Sequence, residues 1–255
     1  MSVQSTPASA TAVAGFDLFG ATVRDLQKSL AFYRDALGLI PTVESENGVE
    51  FHLPDGSTFG LWQPDGDEMP AGMGPMFAVA DATGAAKEIR ERGGDIADPF
   101  ESPVCYMAMS KDAEGNPIII HQKKSPDPHN PPKQARTLTS INGIDLAGYL
   151  VEDPQAQIAF YRDVLGMTPT DIDDQGRGAE FDLADGQTFG VWRTPEVDKG
   201  GFVMFAVNDV RAKAAELRSR DVEFSEVEDT PVCAMAFGLD PEGNCVVIHQ
   251  RKVNA

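Results

Sequence analysis

Ala31-Phe-Tyr-Arg-Asp-Ala-Leu-Gly-Leu-Ile-Pro41 recurs as Ala159-Phe-Tyr-Arg-Asp-Val-Leu-Gly-Met-Thr-Pro169, identical at 8 of 11 positions with an offset of 128. Working outward, Phe51-His-Leu-Pro-Asp-Gly-Ser-Thr-Phe-Gly-Leu-Trp62 returns as Phe181-Asp-Leu-Ala-Asp-Gly-Gln-Thr-Phe-Gly-Val-Trp192, 8 of 12 at an offset of 130. Residues 102–124 match 230–252 at 13 of 23, again offset by 128. The chain is therefore a tandem duplication, with two residues gained in one loop and lost in another. Its seam lies in residues 125–140, where Ser125-Pro-Asp-Pro-His-Asn-Pro-Pro-Lys-Gln-Ala135 carries four prolines, a composition that favours an extended linker. The expected organisation is an N-terminal arm over 1–14, without apolar block or Lys/Arg and so read as disordered, then domains over 15–124 and 141–252.

A weaker repeat lies inside each half. Val-x-Asp ends an apolar run at Val23, Val79, Val151 and Val207, 56 residues apart within each half, and a helical pattern follows every time. Each Asp (Asp25, Asp81, Asp153, Asp209) stands where an N-cap belongs, and capping is the expected role. Strand-like stretches surround the helices, at 16–23, 49–53, 58–62 and 75–79 and then at 96–100, 105–110 and 118–121. Pro54-Asp-Gly-Ser57 and Asp112-Ala-Glu-Gly-Asn116 mark hairpins. Each unit reads strand, helix, three strands. The expected class is α+β: four βαβββ modules whose short sheets pair to close a core.

Composition narrows the function. Forty acidic against 21 basic residues give a formal charge of −19, which disfavours nucleic acid and anionic membranes as partners. No stretch approaches the ~20 apolar residues of a membrane span. Cys105, Cys233 and Cys245 are too few and too scattered for a disulfide framework or a CxxC knuckle, and a cytoplasmic protein is expected. HExxH, a phosphate-binding Gly-rich loop and a Gly-x-Ser-x-Gly elbow are all lacking.

Val-x-Asp before a helix, Phe-Tyr-Arg-Asp-x-Leu-Gly, and a closing Asp240-Pro-Glu-Gly-Asn244 hairpin together resemble the vicinal oxygen chelate superfamily. That family includes glyoxalase I, extradiol dioxygenases and bleomycin-binding proteins. The resemblance implies two glyoxalase-like domains, each a cupped mixed sheet around a cavity with helices outside. It also implies four metal-ligand positions per cup. Here these fall on Leu18, Gly60, Gly74 and Ile119, and on Leu146, Gly190, Phe202 and Val247, none with a donor atom beyond backbone. No metal and no cofactor are therefore expected.

Strand parity then orders the remaining candidates. If Ile119 takes the inward ligand slot, His121 faces the cup, and His249 does so in the second half. Trp62 and Trp192, Met76 and Met204, and Phe202 fall inward by the same step, as do the alternating sets Cys105/Met107/Met109 and Cys233/Met235/Phe237. His52, aligned with Asp182, reads as a surface position. A Cys–His nucleophile lacks a third, orienting group in this reading. Where the first half has Gly74 and Met109 the second has Phe202 and Phe237, so one cup is expected open and the other partly filled. How the modules pair is left open. The leading expectation is a metal-free protein that binds and sequesters a small apolar or aromatic molecule, as bleomycin-resistance proteins do, working as a monomer or weak homodimer. The alternative is a lyase, isomerase or hydrolase using His121 or His249 as acid/base.

Overall fold

In the computed structural model, residues 9, 11–65, 72–124, 140–194 and 199–252 are described. The expected linker at 125–140 lies, but for Ser140, outside them. The first half runs β1 (Gly15–Thr22), α1 (Leu26–Leu30), β2 (Val43–Glu44), β3 (Gly48–His52), β4 (Thr58–Trp62), β5 (Gly72–Ala78), α2 (Ala82–Glu91), β6 (Asp95–Ile96), β7 (Phe100–Glu101), β8 (Cys105–Lys111) and β9 (Pro117–Lys123). The second runs β10 (Ile141–Leu150), α3 (Pro154–Ala159), β11 (Asp171–Ile172), β12 (Gly178–Asp182), β13 (Thr188–Trp192), β14 (Gly200–Val207), α4 (Val210–Arg218), β15 (Glu228–Asp229), β16 (Cys233–Leu239) and β17 (Cys245–Arg251). Asp25, Asp81, Asp153 and Asp209 each accept a hydrogen bond from the backbone N–H three residues on, at 2.9–3.0 Å, so all four are N-caps.

Modules pair within each half. One sheet has the order β2-β3-β4-β1-β5-β9-β8-β6, with β7 beside β8; the other is β11-β12-β13-β10-β14-β17-β16-β15. Residues alternate between two faces. On one face Phe19, Phe51, Phe59 and Phe77, with Phe181, Phe189 and Phe205 from the second sheet, are fully buried and belong to one core. That core spans both domains: Phe59 meets Phe205 and Phe77 meets Phe189, each with ring centroids 5.3 Å apart. The sheets thus pack back to back, and their other faces form two cups.

The duplicated motifs meet across this seam. Tyr33 donates to Asp240 Oδ2 at 2.8 Å, and Tyr161 to Asp112 Oδ2 at 3.3 Å, so the tyrosine of each Phe-Tyr-Arg-Asp is held by the closing hairpin of the other half. Both tyrosines lie in a widened helical turn (Ala31–Ala36, Phe160–Val164), where Leu37 N–H reaches back five residues to Phe32 O. Burial, and then the charge of Asp240, raise the Tyr33 phenol far above its ordinary range, so it stays a donor. Arg92 donates to Val164 O, and Arg220 to Ala36 O. Asp55 accepts from Ile144 N–H, and Asp185 from Phe16 N–H. Each of these contacts has its mate under exchange of the halves, as at a two-fold interface.

The N-terminal arm departs from expectation. Thr11 is buried, its hydroxyl bonded to Glu88 and Arg92 of the α2 region, and Ala14 N–H donates to Ala78 O. The inner end of the arm is docked rather than disordered, because α2 offers it a carboxylate and a guanidinium. Among the described residues no helix is long and apolar enough to cross a membrane.

Candidate functional site

Cross-strand register defines each cup floor. In the first, Leu18, Met76, Ile119 and Met109 stand side by side along β1-β5-β9-β8, and one step down Ala78 pairs with His121 and His121 with Met107. Trp62 extends the same face on β4, and Cys105 pairs with Lys123. The second floor repeats this with Leu146, Met204, Val247 and Phe237, and with Ala206, His249 and Met235. The inward parity expected for Cys105/Met107 and Cys233/Met235 therefore matches the register, and Tyr106 sits on the opposite face.

The structure adds a partner for each histidine. A β-bulge between Phe16 and Leu18 turns Asp17 out of register, and its Oδ2 lies 2.6 Å from His121 Nδ1. Asp145, at the bulge between Ile144 and Leu146, meets His249 Nδ1 at 2.6 Å. Each pair bridges two strands across the intervening one, where Ala78 or Ala206 leaves room. Lys123 Nζ completes the first cluster at 2.8 Å from Asp17 Oδ1, and Arg251 Nε the second at 3.0 Å from Asp145 Oδ1. Burial alone would raise the Asp17 carboxyl, but hydrogen bonds from His121 and Lys123, with their charges, hold it below the usual carboxylate range. The histidines are 6% and 7% exposed. The orienting group that the sequence reading lacked is therefore present: Asp17 and Asp145, each 104 residues before its histidine, a spacing shared by the two halves.

The cysteines do not join the histidines. Cys105 Sγ lies 3.0 Å from Ser102 Oγ, and Cys233 Sγ 3.2 Å from Thr230 Oγ1. Burial, then the negative Asp240, push the Cys245 thiol up to about 11, away from thiolate chemistry. His52 corrects its expected surface placement: its side chain is largely buried on the concave face, with Nε2 3.1 Å from Glu50 Oε2. In the second cup Glu180 occupies the place of Glu50. Its carboxyl is raised by burial, then by Asp171 and Asp182, and lowered in part by Arg251 and His249.

The cups differ in their floors. Leu146, Leu150, Phe202, Cys245 and Val247 are buried in a cluster of their own, against which Trp192, Met204, Met235 and Phe237 pack. Their counterparts Leu18, Thr22, Gly74, Pro117 and Ile119 are only half-buried. Trp62 is 51% exposed, whereas Trp192 is partly buried with Nε1 unpartnered.

A divalent metal, which the fold family implies, does not fit these residues. Among the described residues no three His, Cys, Asp or Glu gather to hold one. The family positions are also closed sterically: a Cβ on Gly60 would come within 2.6 Å of Leu18 Cδ1, and one on Gly74 would run into the Tyr149 hydroxyl. Because these residues do not fit an ion, a chelator is expected to leave the melting temperature unchanged; a bound ion would stabilise the fold by mass action. A fall restored by manganese, iron or zinc would overturn this.

A family model described as the Glyoxalase/Bleomycin resistance protein/Dioxygenase superfamily matches residues 15–120 and again 143–248. Solved structures similar to the chain include homoprotocatechuate 2,3-dioxygenase from Arthrobacter globiformis (17% identity, TM-score 0.68, 96% of this chain and 82% of that one). A Mn(II)-bound glyoxalase from Novosphingobium aromaticivorans is similar at 15% identity and TM-score 0.69, over 93% and 82% of the two chains. A mutant 4-hydroxymandelate synthase from Streptomyces coelicolor is similar at 12% and 0.65, over 95% and 94%. At these identities the likeness is one of fold. No curated protein matches the sequence.

Proposed function

The chain belongs to the glyoxalase/bleomycin resistance protein/dioxygenase superfamily, and from that premise we propose that its first cup binds a small, largely apolar or aromatic molecule without turning it over. The contrast between the floors carries this reading. The second cup buries its own apolar floor, while the first leaves Leu18, Ile119 and Trp62 accessible on a concave face. Accessible apolar surface in a concavity is what a ligand covers, and Met76, Met107 and Met109 let such a wall adapt to shape. In this reading the protein sequesters its ligand in the cytoplasm as a monomer or weak homodimer.

Tryptophan fluorescence tests this. A nitronaphthalene probe should quench the Trp192→Phe protein saturably through Trp62, and leave the Trp62→Phe protein, which reports only on Trp192, nearly unquenched. Equal quenching of both would place the probe in both cups or neither, and overturn the assignment to the first.

One observation favours a second reading, acid/base catalysis by His121: Asp17 orients its ring as a catalytic base requires. The same pair recurs as Asp145–His249 beside a floor filled by Phe202 and Val247. A cluster retained where side chains already occupy the cup ties strands together first, so binding remains the preferred reading. Accumulation of a product that vanishes with His121→Phe would reverse that order.

A further inference from the structure

We propose that His121 Nε2 is the polar anchor of the first cup, selecting apolar ligands that carry a hydrogen-bond-donating group; the proposal rests on the binding reading above. Three observations lead to it. Nδ1 is committed to Asp17 at 2.6 Å, so the ring proton sits on Nδ1 and the lone pair on Nε2. Lys123, at 2.8 Å from the other oxygen of Asp17, engages that oxygen, so both carboxylate oxygens are held and Asp17 keeps its contact with Nδ1. No described residue hydrogen-bonds Nε2, and Nε2 is not among the fully enclosed, unpartnered atoms, which are Ser29 Oγ, Trp192 Nε1 and Thr194 Oγ1.

An acceptor is thus presented beside Met107 and Ala78 on a floor otherwise made by Leu18, Met76 and Ile119. Lys123 is engaged with Asp17 and offers a ligand little. A hydroxyl, amide or other N–H or O–H satisfies Nε2; an ether or hydrocarbon of the same shape strips water from Nε2 and gives nothing back. A polar atom so stranded discriminates strongly between near-isosteres.

Isothermal titration with 2-naphthylmethanol and its methyl ether separates the possibilities. The wild-type protein should bind the alcohol at least tenfold more tightly than the ether, and in His121→Phe the ratio should fall to near one. Asp17→Asn provides an independent variant: the introduced side-chain amide can donate to Nδ1, move the ring proton to Nε2 and reduce or invert the preference. Equal wild-type affinities, with Trp62 still quenched by both probes, would overturn the anchor and leave the cup reading standing. If neither probe binds or perturbs Trp62, the cup reading falls and the anchor with it. A tenfold preference that survives in both variants would assign selection to another group and overturn the proposal.

Discussion

Asp240→Ala should lower the stability of the whole protein by about 3–5 kcal/mol, far more than a surface carboxylate would. Asp240 is buried, and its oxygens accept from the backbone N–H groups of Glu242 and Asn244, from Asn244 Nδ2 and from the Tyr33 hydroxyl of the other domain. Truncation strands all four donors, and the Tyr33 hydroxyl has no water to turn to because its ring is fully enclosed. Tyr33→Phe removes only one donor and should cost about 1 kcal/mol. Both domains share one core, so thermal unfolding of Asp240→Ala should remain a single transition, displaced downward by roughly 10 °C for a chain of this size. A shift within about 2 °C, or two separated transitions, would contradict the account of the seam.

That contact marks the boundary of what the sequence discloses. The Asp240-Pro-Glu-Gly-Asn244 hairpin, the four capping aspartates and the back-to-front alternation of each strand are local patterns with periods of two or 3.6 residues, and they can be read directly. What the hairpin holds cannot, because Tyr33 is 207 residues from Asp240. Phe-Tyr-Arg-Asp is legible as a repeat in both halves, but not that its tyrosine joins them. The Asp17–His121 pair is hidden for a different reason. It depends on a bulge that puts Asp17 out of strand parity, and bulges leave no periodic signature. A usable signal does exist: an Asp and a His repeated at an identical separation of 104 residues. Module pairing is likewise a matter of sheet order, which strand patterns leave undetermined. The difference between the two floors is legible in part: Met109 against Phe237 is one of volume, whereas at Gly74 the Tyr149 hydroxyl of the other half stands where a side chain would begin, which no strand pattern discloses.

The Asp17 cluster also fixes a pH dependence, and its sign can be checked against a second buried carboxylate. Asp17 has a folded pKa lowered below the ~3.9 of an unfolded chain, through His121 and Lys123 outweighing burial. Its contribution to stability is therefore complete above the unfolded value, and is lost as pH falls through the folded value beneath it. Asp112, at the seam, is shifted the other way: burial raises its carboxyl despite hydrogen bonds from Asn116, Glu114 and Gln157. Its contribution declines as pH rises from the unfolded value through the raised folded one. Asp17→Asn should accordingly cost about 1–3 kcal/mol at pH 7, where Lys123 and His121 lose a charged partner, and the deficit should shrink toward pH 3. Asp112→Asn should show a deficit that shrinks in the opposite direction, as pH rises from about 4 to 7. Denaturant titrations of the two variants and the wild type at pH 3, 4, 5 and 7 would resolve both slopes. Parallel slopes would mean that Asp17 is governed by its burial rather than by the histidine and lysine that grip it. The grip of His121 and Lys123 on the carboxylate would then be weaker than their distances from it suggest, and with it the orientation of the His121 ring on the floor of the first cup.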